Sequence, residues 1–172
     1  MADVYWVARD LSSFFVGNHQ FLLVYLEQNE SMLKVKTQEE SGKKFVTLAG
    51  HQPNGNLVYV PNESGDVTSV KESINKNLKG NFQDYDLEKP LVTPPNGTGW
   101  SFAIQLELLA DKYAVNSGVS PVKYDLWNLN CSTWVNTILK IAGVSAGSRG
   151  TLGEFKGIDW GEEELLDENF FS

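Results

Sequence analysis

The chain of 172 residues has one cysteine and only two histidines. One cysteine cannot form a disulfide within the chain, so small secreted proteins built on a disulfide framework are excluded. An unpaired thiol suits a reducing compartment, or a short time outside one. The cysteine and the histidines also lack the close spacing of a zinc motif, so we expect no metal and no cofactor.

Clustered basic residues and long apolar runs are lacking as well. Lys and Arg number 14 against 22 Asp and Glu, which gives a formal net charge of −8. Nucleic acid is therefore not an expected partner, because phosphate contacts need clustered cations. The apolar stretches are too short to cross a bilayer, and the N-terminal Met1-Ala2-Asp3 has an acid where a signal peptide has bases. We expect a protein made in the cytoplasm, without integral membrane association.

The sequence pattern predicts one α+β domain over residues 1–172, with an antiparallel sheet packed against helices. A run at residues 20–26 that is apolar on both faces predicts a central strand. Residues 61–95 carry turn-forming residues and late prolines, so they are predicted as a loop with at most one short element. The other predicted strands are residues 4–7, 32–36, 44–49 and 57–60.

Apolar spacing also predicts two helices in the second half of the chain. The first covers residues 100–116 and is closed by Gly118, and the second begins near Cys131 and stops at Gly143. The acidic residues 161–168 are interpreted as a solvated helix face. Four apolar residues of this C-terminal segment are expected to dock inward: Leu165, Leu166, Phe170 and Phe171.

Cys131 falls in the first turn of its predicted helix, within Asn130-Cys131-Ser132-Thr133. Free backbone N–H groups and the positive end of the helix dipole favour a thiolate there, and the same N–H groups can hold an oxyanion. A lone cysteine is more often a buried small hydrophobe. The polar, cap-like neighbours and a suitably placed histidine instead indicate that Cys131 is a nucleophile.

His19 is the candidate base, because it stands immediately before the predicted central strand. A side chain at a strand end reaches both solvent and a nearby helix tip. An imidazole there can take the proton of a thiol and later return it to the leaving group. The alternative is a histidine that only caps the strand.

Two segments resemble the circularly permuted branch of the papain-like cysteine hydrolases. They are Gly17-Asn18-His19-Gln20-Phe21-Leu22-Leu23-Val24 and Asn130-Cys131-Ser132-Thr133-Trp134-Val135. This branch includes relatives of the NlpC-type cell-wall peptidases and the lecithin:retinol acyltransferase group. The resemblance implies a permuted papain-like fold with Cys131 as nucleophile, His19 as base and a third polar side chain that orients the imidazole.

His51 is the candidate for that third position, against Gln52, Asn62 or another polar group. If residues 32–36 form a full strand of a simple meander, His51 lands at the opposite end of the sheet from His19. If residues 33–42 are an excursion from one long hairpin, His51 returns beside His19. The charge-rich residues 37–44 favour the excursion.

Three functions follow from these residues. The first is a thiol peptidase or amidase that cleaves a peptide or cell-wall peptide bond. The second passes the acyl group to another acceptor, with Trp127 and Trp134 as an apolar wall unless they belong to the core. The third is a catalytically silent scaffold. Small acidic chains of this family resemble bacterial effectors exported by the type VI route without a signal peptide, which implies a host, immunity or secretion-apparatus protein as partner.

Overall fold

The structure, a computed structural model, describes residues 1–10, 18–79, 87, 90–152 and 164–172. Within these ranges the fold is α+β, as predicted, with an antiparallel sheet and helices on both faces. The strands are β1 Asp3–Asp10, β2 Asn18–Leu26, β3 Gln38–Glu40, β4 Lys43–Leu48, β5 Gly50–His51, β6 Val58–Tyr59 and β7 Leu91–Val92. The helices are α1 Ser64–Lys79, α2 Gly99–Val119, α3 Cys131–Ile141 and α4 Ala146–Leu152, and short 3-10 helices cover Pro53–Gly55 and Glu168–Phe171.

Strand β2 is the centre of the sheet, whose order is β3-β4-β2-β1-β7. Its two faces enter different clusters of buried residues. Phe21 and Leu23 pack with Val70 and Ile74 of α1, whereas Leu22 lies in the larger core with α2 and α3. Burial of each large side chain contributes about 1.5–3 kcal/mol, so apolar residues on both faces hold β2 in place. The prediction of a central strand is confirmed.

Helix α3 begins and ends where the sequence predicts. The Asn130 side chain accepts the backbone N–H groups of Ser132 and Thr133, so it caps the first turn. At the other end Gly143 has a φ of 94°, a left-handed conformation that glycine adopts without strain. The face between these ends is buried and carries Trp134 and Ile138 into the larger core.

The prediction that residues 61–95 form a loop is wrong for residues 64–79, which form α1. Val67, Val70 and Ile74 recur at helical spacing and face the sheet. The prolines at 90, 94 and 95 lie beyond the end of this helix, so they do not interrupt it. Residues 80–86 and 88–89 of the predicted loop lie outside the described residues.

The predicted strand at residues 32–36 is also wrong. The backbone N–H groups of Leu33, Lys34 and Val35 donate to the buried Glu107 carboxylate of α2, at 2.7, 2.8 and 2.7 Å. Their hydrogen bonds therefore go to a side chain rather than to a strand. The chain leaves β2, passes over α2, and returns through the β3–β4 hairpin to pair β4 with β2. This is the excursion alternative, which brings His51 back beside His19.

Helix α2 starts one residue before the prediction and continues past Gly118 to Val119, so Gly118 does not close it. Its cap is Ser120, whose N–H donates to the Asn116 carbonyl oxygen. Its first residue, Gly99, lies against the N-terminal strand, where an added Cβ would come within 1.7 Å of the Ala2 carbonyl oxygen. Only glycine allows that approach.

The C-terminal segment docks inward through Leu166 and Phe171, which are buried, while Leu165 and Phe170 are half-buried. Residues 164–167 are irregular and lead into a 3-10 helix, so the predicted α-helix is wrong there. Residues 161–163 lie outside the described residues. Among the helices that the structure describes, none is long and apolar enough to cross a membrane.

Candidate active site

The candidate site lies at the end of β2 where β4 turns away. Strands β2 and β4 stop pairing at Leu22 and Leu48, so the first residues of β2 extend beyond β4. The next strand, β5, places His51 near this start of β2. His19 lies in this start, and Cys131 is the first residue of α3. The structure thus brings the three predicted site residues together from separate parts of the sequence.

The Cys131 thiol is buried, with 5% of the residue exposed, and polar groups surround it. The backbone N–H of Gln20 donates to Sγ at 3.5 Å, and the His19 ring and the Tyr124 hydroxyl line the same cavity and interact electrostatically with the thiol. Burial alone would raise the pKa of the Cys131 thiol. The positive charge and hydrogen bond of His19, with the Gln20 and Ser132 amides, more than offset burial, so the pKa is lowered.

The His19 ring bridges the thiol and a carboxylate. Its Nε2 lies 3.3 Å from both carboxylate oxygens of Asp66, so Nδ1 is the nitrogen left for the thiol. Burial alone would lower the pKa of His19, but the Cys131 thiolate and Asp66 raise it to about 9. Since the two shifts run in opposite directions, the pair favours a thiolate and an imidazolium.

Asp66 was not predicted from the sequence, yet it connects the polar side chains of the site. Its carboxylate is fully buried and binds three partners: Arg9 Nε at 2.8 Å, His51 Nε2 at 3.0 Å and His19. Burial alone would raise the pKa of Asp66, but the two imidazoles hold it well below its ordinary value. The residue lies in the first turn of α1, where the helix dipole also favours a negative charge.

One signal for Asp66 was present in the sequence. An acid precedes Val67, Val70 and Ile74, which is the pattern of a helix that begins with a carboxylate in its first turn. The prediction of a loop over these residues concealed it. Its partner Arg9 lies on β1 and could be linked to it only through the folded structure.

The three candidates for the third position lie in different surroundings. His51 is half-buried, lines the cavity beside the thiol and places its ring 4.3 Å from that of His19. Gln52 is exposed and lines the same cavity. Asn62 instead fixes the backbone, because its side chain accepts from Thr47 N at 3.0 Å and donates to the Lys36 carbonyl at 2.6 Å.

His19, His51 and Asp66 are also the described residues that could hold a metal ion. Their ligand atoms lie within 4.8 Å of one another, and two imidazoles with a carboxylate suit zinc. The hydrogen bonds among these groups and the Arg9 ion pair account for the grouping without an ion.

A cavity of about 370 Å³ opens beside the thiol. The described residues that line it are His19, Gly50, His51, Gln52, Tyr124, Leu126 and Cys131. Trp127 is 59% exposed on the neighbouring turn, whereas Trp134 is buried and stacks on Tyr59 with ring centres 5.6 Å apart. Trp134 thus belongs to the core, and Trp127 does not.

The backbone N–H of Cys131, the first residue of α3, is a candidate for binding an oxyanion. Asn130 accepts the N–H groups of Ser132 and Thr133, and its carbonyl accepts that of Trp134. The Cys131 N–H is not among the amides that this cap engages. The first N–H groups of a helix have no acceptor within the helix, so one that lies beside a nucleophile is suited to an oxyanion.

Comparisons of the chain with models of known protein families, with curated proteins and with solved structures find no match. The assignment of a function therefore depends on the arrangement of Cys131, His19 and Asp66, with His51 beside them.

Proposed function

We propose that the protein is a cysteine hydrolase that cleaves an amide bond through a thioester on Cys131. One observation carries the proposal: Cys131 and His19 line the same cavity and interact electrostatically, and His19 is hydrogen-bonded to Asp66. This is the sequence of nucleophile, base and orienting group that thiol hydrolases need. The order of His19 before Cys131 in the chain also agrees with the proposed kinship to permuted papain-like hydrolases.

In the acylation step the Cys131 thiolate attacks the carbonyl carbon of the substrate amide, and a C–S bond forms as the carbonyl oxygen becomes an oxyanion. His19 then donates its Nδ1 proton to the amide nitrogen. The C–N bond breaks, the amine leaves, and an acyl thioester remains on Cys131. Because the pKa of Cys131 is lowered and that of His19 is raised to about 9, the thiol is present as a thiolate and the imidazole as an imidazolium.

In the deacylation step water replaces the amine in the site. His19, now neutral, takes a proton from this water as its oxygen attacks the thioester carbon. The C–S bond breaks, the carboxylic acid product leaves, and the thiolate and imidazolium are restored. The net reaction is amide plus water to carboxylic acid plus amine.

Two groups are placed to stabilise the oxyanion in both steps. The Cys131 N–H is one, because it lies at the start of α3 next to the nucleophilic sulfur. The Tyr124 hydroxyl is the other, since Tyr124 lines the cavity together with Cys131 and interacts with its thiol. Burial and the nearby Cys131 raise the pKa of Tyr124, so the hydroxyl stays protonated and able to donate.

Asp66 and His51 act on His19 rather than on the substrate carbonyl. Asp66 accepts from His19 Nε2 and stabilises the imidazolium, while Arg9 holds the carboxylate in place. His51 shares the Asp66 oxygen from the side of the cavity and supports the same orientation.

The test is to detect the covalent intermediate. The protein is mixed with peptide thioesters, and the intact mass is followed with time. We expect an adduct on Cys131 that disappears as carboxylic acid is released, no adduct for Cys131→Ala, and slow formation for His19→Ala with an unchanged thermal melt. Hydrolysis by Cys131→Ala at the wild-type rate would overturn the proposal. An adduct released only by an added amine or alcohol would identify an acyltransferase instead.

A further inference from the structure

We infer that the cavity beside Cys131 accepts a short, uncharged acyl group and excludes an anionic one. This inference rests on the proposed function, because it concerns the substrate part that becomes bound to the thiol. It follows from the charge, the size and the fixed geometry of the cavity walls.

Among the described residues of the walls, the imidazoles are the groups that could offer a charge to a bound carboxylate. None of the described lining residues is Lys, Arg, Asp or Glu. The His19 imidazolium is already paired with the Cys131 thiolate and with Asp66. His51 is also bound to Asp66, so a carboxylate that enters would lose its water without gaining an unpaired cation among the described wall residues. Asp66 is fully buried, so it is also closed to a cationic group.

The size of the cavity limits the length of the acyl group. Its volume is about 370 Å³, which is near the lower end of the roughly 300–1,000 Å³ found for small-molecule sites. A cavity of that volume takes a small acyl group. A long acyl chain would extend far outside it.

One wall of the cavity is fixed before any substrate binds. Leu126 stands on a tight turn in which Asp125 N and Leu129 N each donate to the carbonyl of the other residue, at 2.8 and 2.9 Å. The Asp125 side chain also accepts the Trp127 N–H at 3.0 Å. Leu126 lines the cavity and is 40% exposed, so the turn presents an apolar side chain to the substrate at little cost in ordering.

The experiment compares thiobenzyl esters of N-acetyl-glutamine, N-acetyl-glutamate and N-acetyl-norleucine. The first two have nearly the same shape and differ in charge. The rate of acylation of Cys131 is measured by intact mass near neutral pH. We expect the glutamine and norleucine esters to react at least tenfold faster than the glutamate ester. Thiobenzyl esters of hexanoic and palmitic acid test the length of the acyl group, and we expect the hexanoyl ester to react at least tenfold faster than the palmitoyl ester.

A charge change in the wall provides the matched variant. Leu126→Lys should raise the glutamate-to-glutamine rate ratio at least tenfold, whereas Leu126→Met, of similar size, should leave it unchanged. Equal rates for the glutamate and glutamine esters in the wild type would overturn this inference but not the proposed function. An unchanged rate ratio in Leu126→Lys would do the same. If no ester acylates the wild type, the proposed function fails and this inference fails with it.

Discussion

The rings of His19 and His51 lie 4.3 Å apart, and both direct Nε2 at the Asp66 carboxylate. His19, at the start of β2, also interacts electrostatically with the Cys131 thiol. The two histidines are therefore not equivalent. His19 has the geometry of the base, and His51 has that of a residue which positions it.

Asp66→Asn should lower the rate of acylation of Cys131 by roughly 10²–10⁴, because an amide cannot stabilise the imidazolium and favours the wrong tautomer of His19. Acylation by a peptide thioester, followed by intact mass, measures this. Glu72→Gln is the control, since it removes a carboxylate from an exposed position of the same helix. A rate for Asp66→Asn within twofold of the wild type would remove Asp66 from the mechanism.

His51→Gln should reduce kcat by less than the roughly 10²–10⁴ that a general base contributes, because His19 keeps its own bond to Asp66. His19→Ala should lose that full amount. The two variants are compared through kcat and KM on one peptide substrate. If His51→Gln loses as much as His19→Ala, the roles of the two histidines must be exchanged.

Two reactions should depend on pH: the alkylation of the Cys131 thiol and the cleavage of an amide substrate. The pKa of Cys131 is lowered, so alkylation by iodoacetamide should reach half its maximum below the value of about 8.5 for free cysteine. His19→Ala should move that midpoint upward, because the positive partner is gone. Amide cleavage should fall again as the pH rises through about 9, where His19 loses the proton that the leaving amine needs. A wild-type midpoint at or above that of free cysteine would favour a scaffold without turnover.

Asn130→Ala should destabilise the protein by about 1 kcal/mol, since the cap accepts two backbone N–H groups of α3. Urea unfolding monitored by tryptophan fluorescence measures the change. Asn130→Asp keeps the acceptor and should preserve more of the stability. Its added negative charge should also raise the pKa of Cys131, so alkylation separates the effect on the helix from the effect on the thiol. An Asn130→Ala protein as stable as the wild type would contradict the capping role.

Glu107→Gln should cost about 3 kcal/mol or more, because the buried carboxylate accepts three backbone N–H groups from residues 33–35. The amide of glutamine offers one oxygen and turns donors toward those N–H groups. The free energy of unfolding in urea measures the loss, and Glu72→Gln, at an exposed position, is the control. Equal stability of the two variants would show that Glu107 does not anchor the excursion.

The central strand and the cysteine helix could be predicted because their causes are local. Residues 20–26 are apolar on both faces, and Asn130 and Gly143 mark the two ends of an apolar helical stripe. Helix α1 was missed because its apolar face is narrow and a proline-rich segment follows it. Glu107 shows a further limit. A carboxylate in the middle of a helix reads as a solvated group, and its partners on residues 33–35 come from a distant part of the chain.

The sequence could narrow the candidates for the third site residue but could not identify it. The choice of His51 depended on whether β4 returns beside β2, and the folded chain places it there. Asp66 could not be found in that way, because its three partners come from β1, β2 and β5. The sequence therefore indicated Cys131 and His19 as candidates, and the fold placed the Asp66 carboxylate between the two histidines.

The distribution of the site along the chain affects when activity can arise during synthesis. Arg9, His19, His51 and Asp66 are all made before the ribosome reaches Cys131, and the N-terminal part alone holds a base without a nucleophile. Under the proposed mechanism a truncated product that lacks α3 would be inert, and a fragment that contains α3 alone would have the thiol without its base. A chain cut between α1 and α3 should regain its thiolate only when the two pieces associate, which makes this fold suitable for a split reporter.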